Sequence, residues 1–106
     1  MAIDMGYVLN DARKHAVAEL CERYGVSELL IFGSGARADF EPRTSDIDLL
    51  VSFRAGTRMG YLRLFELQGR LQQVLGREVH LVPKGGLNPR IRDEVISEAR
   101  SIYQNV

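Results

Sequence analysis

Two short apolar runs constrain this chain more than any other feature, Leu29-Leu30-Ile31-Phe32 and Ile47-Asp48-Leu49-Leu50-Val51-Ser52-Phe53. Nearly continuous runs of this length, bounded by turn residues, are the pattern of strands inside a covered sheet. The first run breaks at Gly33-Ser34-Gly35, which reads as a strand-to-helix turn, and the second opens at Asp46 after a polar loop holding Asp39, Glu41, Pro42 and Arg43. Any fold for this chain must place both strands in its interior.

Helical patterns surround the strands. Asn10 and Asp11 are cap residues ahead of a helix whose Val17, Leu20, Cys21 and Tyr24 follow the i, i+3, i+4, i+7 stripe, with Gly25 as its stop. Arg54–Arg58 reads as a loop, followed by a helix with Tyr61, Leu62, Phe65, Leu71, Val74 and Leu75 on its apolar face and Gly76 at its end. A third strand, Glu78-Val79-His80-Leu81-Val82, stops at Pro83, and Lys84-Gly85-Gly86 reads as a turn. Asn88 as N-cap and Pro89 at N1 open a last helix expected to bury Ile91, Val95, Ala99 and Ile102. The order α-β-β-α-β-α predicts a two-layer α/β (α+β) fold with helices packed on a small mixed sheet.

A length of 106 residues allows one domain, 1–106, so an enlarged site has to borrow a partner. Hydrophobic residues make up 45% and charged ones 26%, a composition that excludes intrinsic disorder. Fourteen basic side chains balance 14 acidic ones, which argues against coating nucleic acid or a lipid surface with positive charge. Residues 1–53 hold 5 basic and 9 acidic side chains, and residues 54–106 hold 9 and 5, so the halves are oppositely charged. Cys21 is the only cysteine, which excludes an intramolecular disulfide and a multi-cysteine zinc site and fits a reducing, cytoplasmic setting. The N-terminus lacks a secretory pattern, and no apolar stretch approaches the roughly 18 residues of a membrane span, so no membrane role is expected.

Asp46 and Asp48 lie two apart, so both carboxylates project from one sheet face and can close on a single hard cation such as magnesium. The competing reading is a solvated, frayed strand end. Gly33-Ser34-Gly35 follows a strand, where backbone N–H groups at a helix start bind anions, and Ser34 and Arg37 add a hydroxyl and a guanidinium suited to phosphate. Alone it is an ordinary turn. A phosphate cradle followed within a dozen residues by a carboxylate pair is what nucleoside triphosphate chemistry requires.

Ile31-Phe32-Gly33-Ser34-Gly35-Ala36-Arg37 followed by Ser45-Asp46-Ile47-Asp48-Leu49-Leu50-Val51 resembles the signature of minimal nucleotidyltransferases of the DNA polymerase beta superfamily. Leu87-Asn88-Pro89-Arg90-Ile91-Arg92 is similar to the family's closing helix, and the element order is similar over nearly the whole chain. Eleven residues separate Ser34 from Asp46, one more than the family's usual spacing. The resemblance implies triphosphate binding at Gly33 and Ser34 and metal ligation by Asp46 and Asp48. It also implies a third aspartate between Val79 and Leu81, where this chain has His80.

Three readings of His80 stand side by side: a general base, a ligand for a softer ion such as manganese or zinc, or a polar strand residue marking lost activity. Glu78 shares its strand face but sits ~6.6 Å along, so it substitutes only if the metal centre shifts. His15 reads as solvated, and Lys84 and Arg90 as an anion-facing rim or as solubilising charge. The resemblance implies the antitoxin of a toxin–antitoxin module whose partner is a small helical HEPN-type protein, adenylylated on a tyrosine from ATP with magnesium, or manganese in its place. The alternative is a degenerate binding module that neutralises its partner by occlusion, with Tyr61, Leu64, Leu67 and Tyr103 as its apolar patch. Transfer to an antibiotic or an RNA end is the weaker third reading, since no basic-aromatic stripe points to nucleic acid. Homo- and hetero-oligomers both remain open.

Overall fold

The computed structural model describes residues 10–32 and 46–104. Its elements are α1 (Asp11–Arg23), β1 (Val26–Phe32), β2 (Ile47–Phe53), α2 (Tyr61–Leu75), β3 (Val79–Pro83), a 3₁₀ turn (Lys84–Gly86), α3 (Pro89–Glu98) and β4 (Arg100–Gln104). The sheet order is β3-β2-β1-β4. β1 runs antiparallel to β2 and β4, while β2 and β3 are parallel, so the sheet is mixed.

Local chemistry explains the element ends. The Asn10 side chain accepts a hydrogen bond from the Arg13 backbone N–H at 2.9 Å and caps α1. Gly25 turns the chain from α1 into β1 at φ +71°, and a Cβ there would sit 2.7 Å from Thr57 Oγ1, so both backbone and space demand glycine. Gly76 closes α2 in the left-handed conformation, its N–H bonded to Gln72 O at 2.9 Å.

The core lies between one sheet face and α1 with α2. Val17, Leu20 and Cys21 from α1, and Leu64, Leu67, Leu71 and Leu75 from α2, pack on Leu29, Ile31, Ile47, Leu49, Val51, Val79 and Leu81. Leu30 and Leu50, on the alternate strand positions, are also buried, and the 3₁₀ turn and α3 lie against β2 and β1.

Three expectations need correction. α2 turns a different face inward: Leu64 and Leu67 are buried with Leu71 and Leu75, whereas Tyr61, Leu62 and Phe65 are 80%, 89% and 61% exposed. The helix carries more apolar residues than one face holds, and the 64-67-71-75 stripe won because it follows the helical repeat through four leucines. Leu64 and Leu67 therefore cannot belong to an exposed patch, and Tyr103 is partly buried against the core. α3 buries none of its residues, and Ile91 is 47% exposed. Finally, residues Arg100–Gln104 form a fourth strand, and Ile102 packs on the core from there and not from a helix. Without β4, the backbone groups on one side of β1 would lack partners, and pairing satisfies them.

The edge strand β3 is held by side chains. Gln72 Oε1 accepts from Val79 N–H at 3.1 Å, and Gln68 Oε1 accepts from Leu81 N–H at 2.9 Å. Two glutamines one helical turn apart thus satisfy alternate amides of an edge that has no strand neighbour among the described residues. His80 lies between those two amides.

Candidate active site

The parallel pairing of β2 with β3 sets Asp48 directly beside His80 and Ile47 beside Val79. The Ile47 N–H donates to Glu78 O at 2.9 Å, so the register continues one step back and sets Asp46 near Glu78. Asp46, Asp48, Glu78 and His80 therefore form a two-by-two array at the leading ends of two parallel strands. Single ligand atoms of Asp46, Glu78 and His80 all lie within 4.8 Å of one another.

Each member has a distinct environment. His80 Nε2 lies 3.4 Å from Asp46 Oδ2, with both side chains half exposed. That distance is long for a charge-assisted hydrogen bond, which falls near 2.7–2.9 Å. Asp48 is half-buried, and its carboxyl is held above the usual aspartate range by burial and also by the Asp46 charge, with His80 opposing. Glu78 precedes β3, so its side chain is not tied to the pleat spacing of strand residues. It reaches Asp46 and His80 more closely than strand spacing alone implies.

Phe32, the last residue of β1, pairs directly with Asp48. Gly33, Ser34, Gly35 and Arg37, assigned to phosphate from sequence, lie outside the described residues, as does Ser45. His15 is exposed, as expected, and so is Arg90, whereas Lys84 pairs with Glu28 at 3.3 Å. Gln68 and Gln72, which hold the strand carrying His80, escaped sequence reasoning. Their i, i+4 spacing on a helix preceding an edge strand was the available signal.

A set of two aspartates, one glutamate and one imidazole can bind a divalent cation, since carboxylates take hard ions and imidazole takes borderline ones. Set at one end of a small mixed sheet, such a donor set is the kind of site that nucleotidyltransferase-type chemistry uses. The profile of the nucleotidyltransferase domain matches residues 13–102, and the chain belongs to that family.

Among relatives, a Methanocaldococcus jannaschii protein named as a candidate protein adenylyltransferase is 36% identical over 86 residues, covering 81% of this chain and 89% of its own length. Protein adenylyltransferase MntA of Thermococcus cleftensis is 39% identical over 80 residues, 76% of this chain and 78% of its own. A solved structure described as a candidate minimal nucleotidyltransferase superposes with TM-score 0.72 at 37% identity, covering 93% of this chain and 98% of that one. A tri-AMPylated HEPN toxin in complex with its MNT antitoxin, from Shewanella oneidensis, shares the fold with TM-score 0.63 at 17% identity, covering 89% of this chain and 71% of that one.

Proposed function

We propose that this chain transfers AMP from ATP to a protein hydroxyl, a tyrosine of a small helical HEPN-type partner, and so serves as the antitoxin of a two-component module. The observation that carries the reading is the array of Asp46, Asp48, Glu78 and His80 at the leading ends of two parallel strands, its aspartate pair following the Gly33-Ser34-Gly35 segment in sequence. Relatives named as protein adenylyltransferases support the reaction type, and the AMPylated toxin complex supports the partner.

Asp46 and Asp48 would hold a divalent cation, magnesium or manganese, which would supply neutralisation of phosphate charge. Gly33 and Gly35 let the phosphates approach the backbone, and Ser34 and Arg37 donate to their oxygens. The acceptor hydroxyl attacks the alpha phosphorus in line. The new oxygen–phosphorus bond forms as the bond to pyrophosphate breaks, and the hydroxyl proton passes to a carboxylate oxygen of the aspartate pair. A chain of 106 residues encloses little beyond the nucleotide, so the partner completes the acceptor side of the pocket. The setting is the cytoplasm, in keeping with a lone cysteine whose thiol is pushed up to about 12 by burial and so stays unreactive.

Intact-mass analysis of the neighbouring gene product tests the proposal after incubation with this chain, ATP and magnesium or manganese. An adenylate-sized increment is expected, absent with the double variant Asp46→Ala, Asp48→Ala. A stable complex without the increment would replace transfer by occlusion, the reading that His80 in place of a carboxylate favours.

A further inference from the structure

The site just described has one feature that the aspartate pair does not explain, the approach of Glu78 and His80 to Asp46 from the neighbouring strand. We infer that Asp46, Glu78 and His80 form a three-ligand nitrogen–oxygen site that selects a borderline transition-metal dication, of the manganese, cobalt or zinc type, over magnesium. The inference rests on the nucleotidyltransferase reading for its purpose, but its geometry stands separately.

The distances favour ligation over an ion pair. Two donors each about 2.1 Å from one ion at a tetrahedral angle are separated by roughly 3.4 Å. His80 Nε2 and Asp46 Oδ2 are 3.4 Å apart, too long for a strong charged hydrogen bond and right for two ligands of one ion. Glu78 brings a third donor within 4.8 Å of both, so modest side-chain rotation closes the set. The side chains of His80 and Asp46 are each 50% exposed, which leaves an open side for a substrate oxygen or water, as three-ligand catalytic sites require.

The donor chemistry sets the selectivity. Magnesium keeps oxygen ligands in near-octahedral geometry and sheds water reluctantly, and an imidazole nitrogen offers it little. Imidazole suits first-row transition ions, whose affinity for nitrogen-containing sites rises across the row. The imidazole of His80 in the donor set therefore decides which ion fits. Glu78 adds a second carboxylate charge to that of Asp46. Asp48, beside His80 in the register, remains within the same array to share the ion or a second one.

The test is metal binding by the full chain without nucleotide or partner. Manganese is titrated while its free paramagnetic resonance signal is followed, with magnesium as competitor, and pulsed resonance reads nitrogen coupling to the bound ion. The expected result is a bound manganese with directly coordinated imidazole nitrogen that a large excess of magnesium fails to displace. Glu78→Gln should weaken binding by at least roughly tenfold, the scale on which even outer-shell partners of ligands act. His80→Asp should abolish the nitrogen coupling and turn the preference toward magnesium. All these side chains are exposed, so the variants fold.

Absence of nitrogen coupling in the unmodified chain, or unchanged affinity in Glu78→Gln, would overturn the inference. The two proposals fail separately. A chain that binds manganese through nitrogen but transfers no AMP keeps this site and loses the enzyme. A chain that transfers AMP with magnesium and shows no nitrogen coupling does the reverse.

Discussion

The two ends of the β2–β3 pair differ in kind. At the leading end stand Asp46, Glu78 and His80, polar and exposed, with Asp48 half-buried beside them. At the trailing end a cleft of about 410 Å³ is lined by Phe53, Met59, Gly60, Tyr61, Leu64 and Pro83. Concavity and apolar lining would select the trailing end as a binding site, yet its described lining holds no carboxylate, imidazole or thiol. Reactive groups converge at the other end because parallel strands entering a sheet side by side bring equivalent positions into register. The lesson is that a shallow polar site for a charged substrate is recognised by its donor set and not by enclosed volume.

The largest expected effect tests whether chemistry is confined to the leading end. Asp46→Ala or Asp48→Ala should lower the AMP transfer rate roughly 10²–10⁴-fold, while Tyr61→Ala at the trailing end should leave manganese affinity unchanged. Rates by intact mass and affinity by metal titration check the pair, and loss of metal binding in Tyr61→Ala would erase the contrast. Next in size, Leu67→Ala or Leu71→Ala should destabilise the fold by about 2–5 kcal/mol, since both are wholly buried under the sheet. Leu62→Ala, at a residue 89% exposed, should stay within about 0.5 kcal/mol in the same urea unfolding series.

A smaller effect links the helix to the leading end. Gln72→Leu leaves the Val79 amide unsatisfied, at a cost of about 1–3 kcal/mol. It should speed hydrogen exchange at Val79 and weaken manganese binding through the displaced His80. Faster exchange with unchanged metal affinity would show that the edge clamp is structural only.

The smallest effect is a pH dependence. Burial holds the folded-state pKa of Asp48 above its unfolded value, so the folded chain binds that proton more tightly. The stabilisation from proton binding is present below the unfolded pKa and is lost as pH rises through the folded one. Without metal, Asp48→Asn should therefore be more stable than the unmodified chain at neutral pH. The gain should vanish as the pH falls below the unfolded-state value, where Asp48 itself is protonated, and a saturating divalent cation should reverse it. Thermal unfolding across that range, with and without manganese, measures both signs.

Much of the fold was legible because its signals are local. Asn10, Gly25, Gly76 and Asn88-Pro89 mark helix ends by capping chemistry and backbone freedom, and β2 runs over the residues its apolar pattern predicts. The inward face of α2 was not legible, because Tyr61, Leu62 and Phe65 compete with Leu64 and Leu67 in any helical projection and only the sheet surface chooses between them. β4 was hidden for a related reason: its five residues extend the spacing of the preceding helix, and their strand character comes from the unpaired edge of β1.

At the candidate site the division is similar. The sequence by itself determined that Asp46 and Asp48 share a face, since strand periodicity is a local property, and that His80 falls within the third strand. Only the tertiary structure decided that β3 runs parallel beside β2 with Asp48 against His80, that Glu78 reaches the same point, and that two glutamines of α2 hold that edge. Those are contacts between separate elements, from 7 residues apart for Gln72 and Val79 to 34 for Asp46 and His80. Backbone pairing and helix packing set them, and neither can be read from residues considered one element at a time.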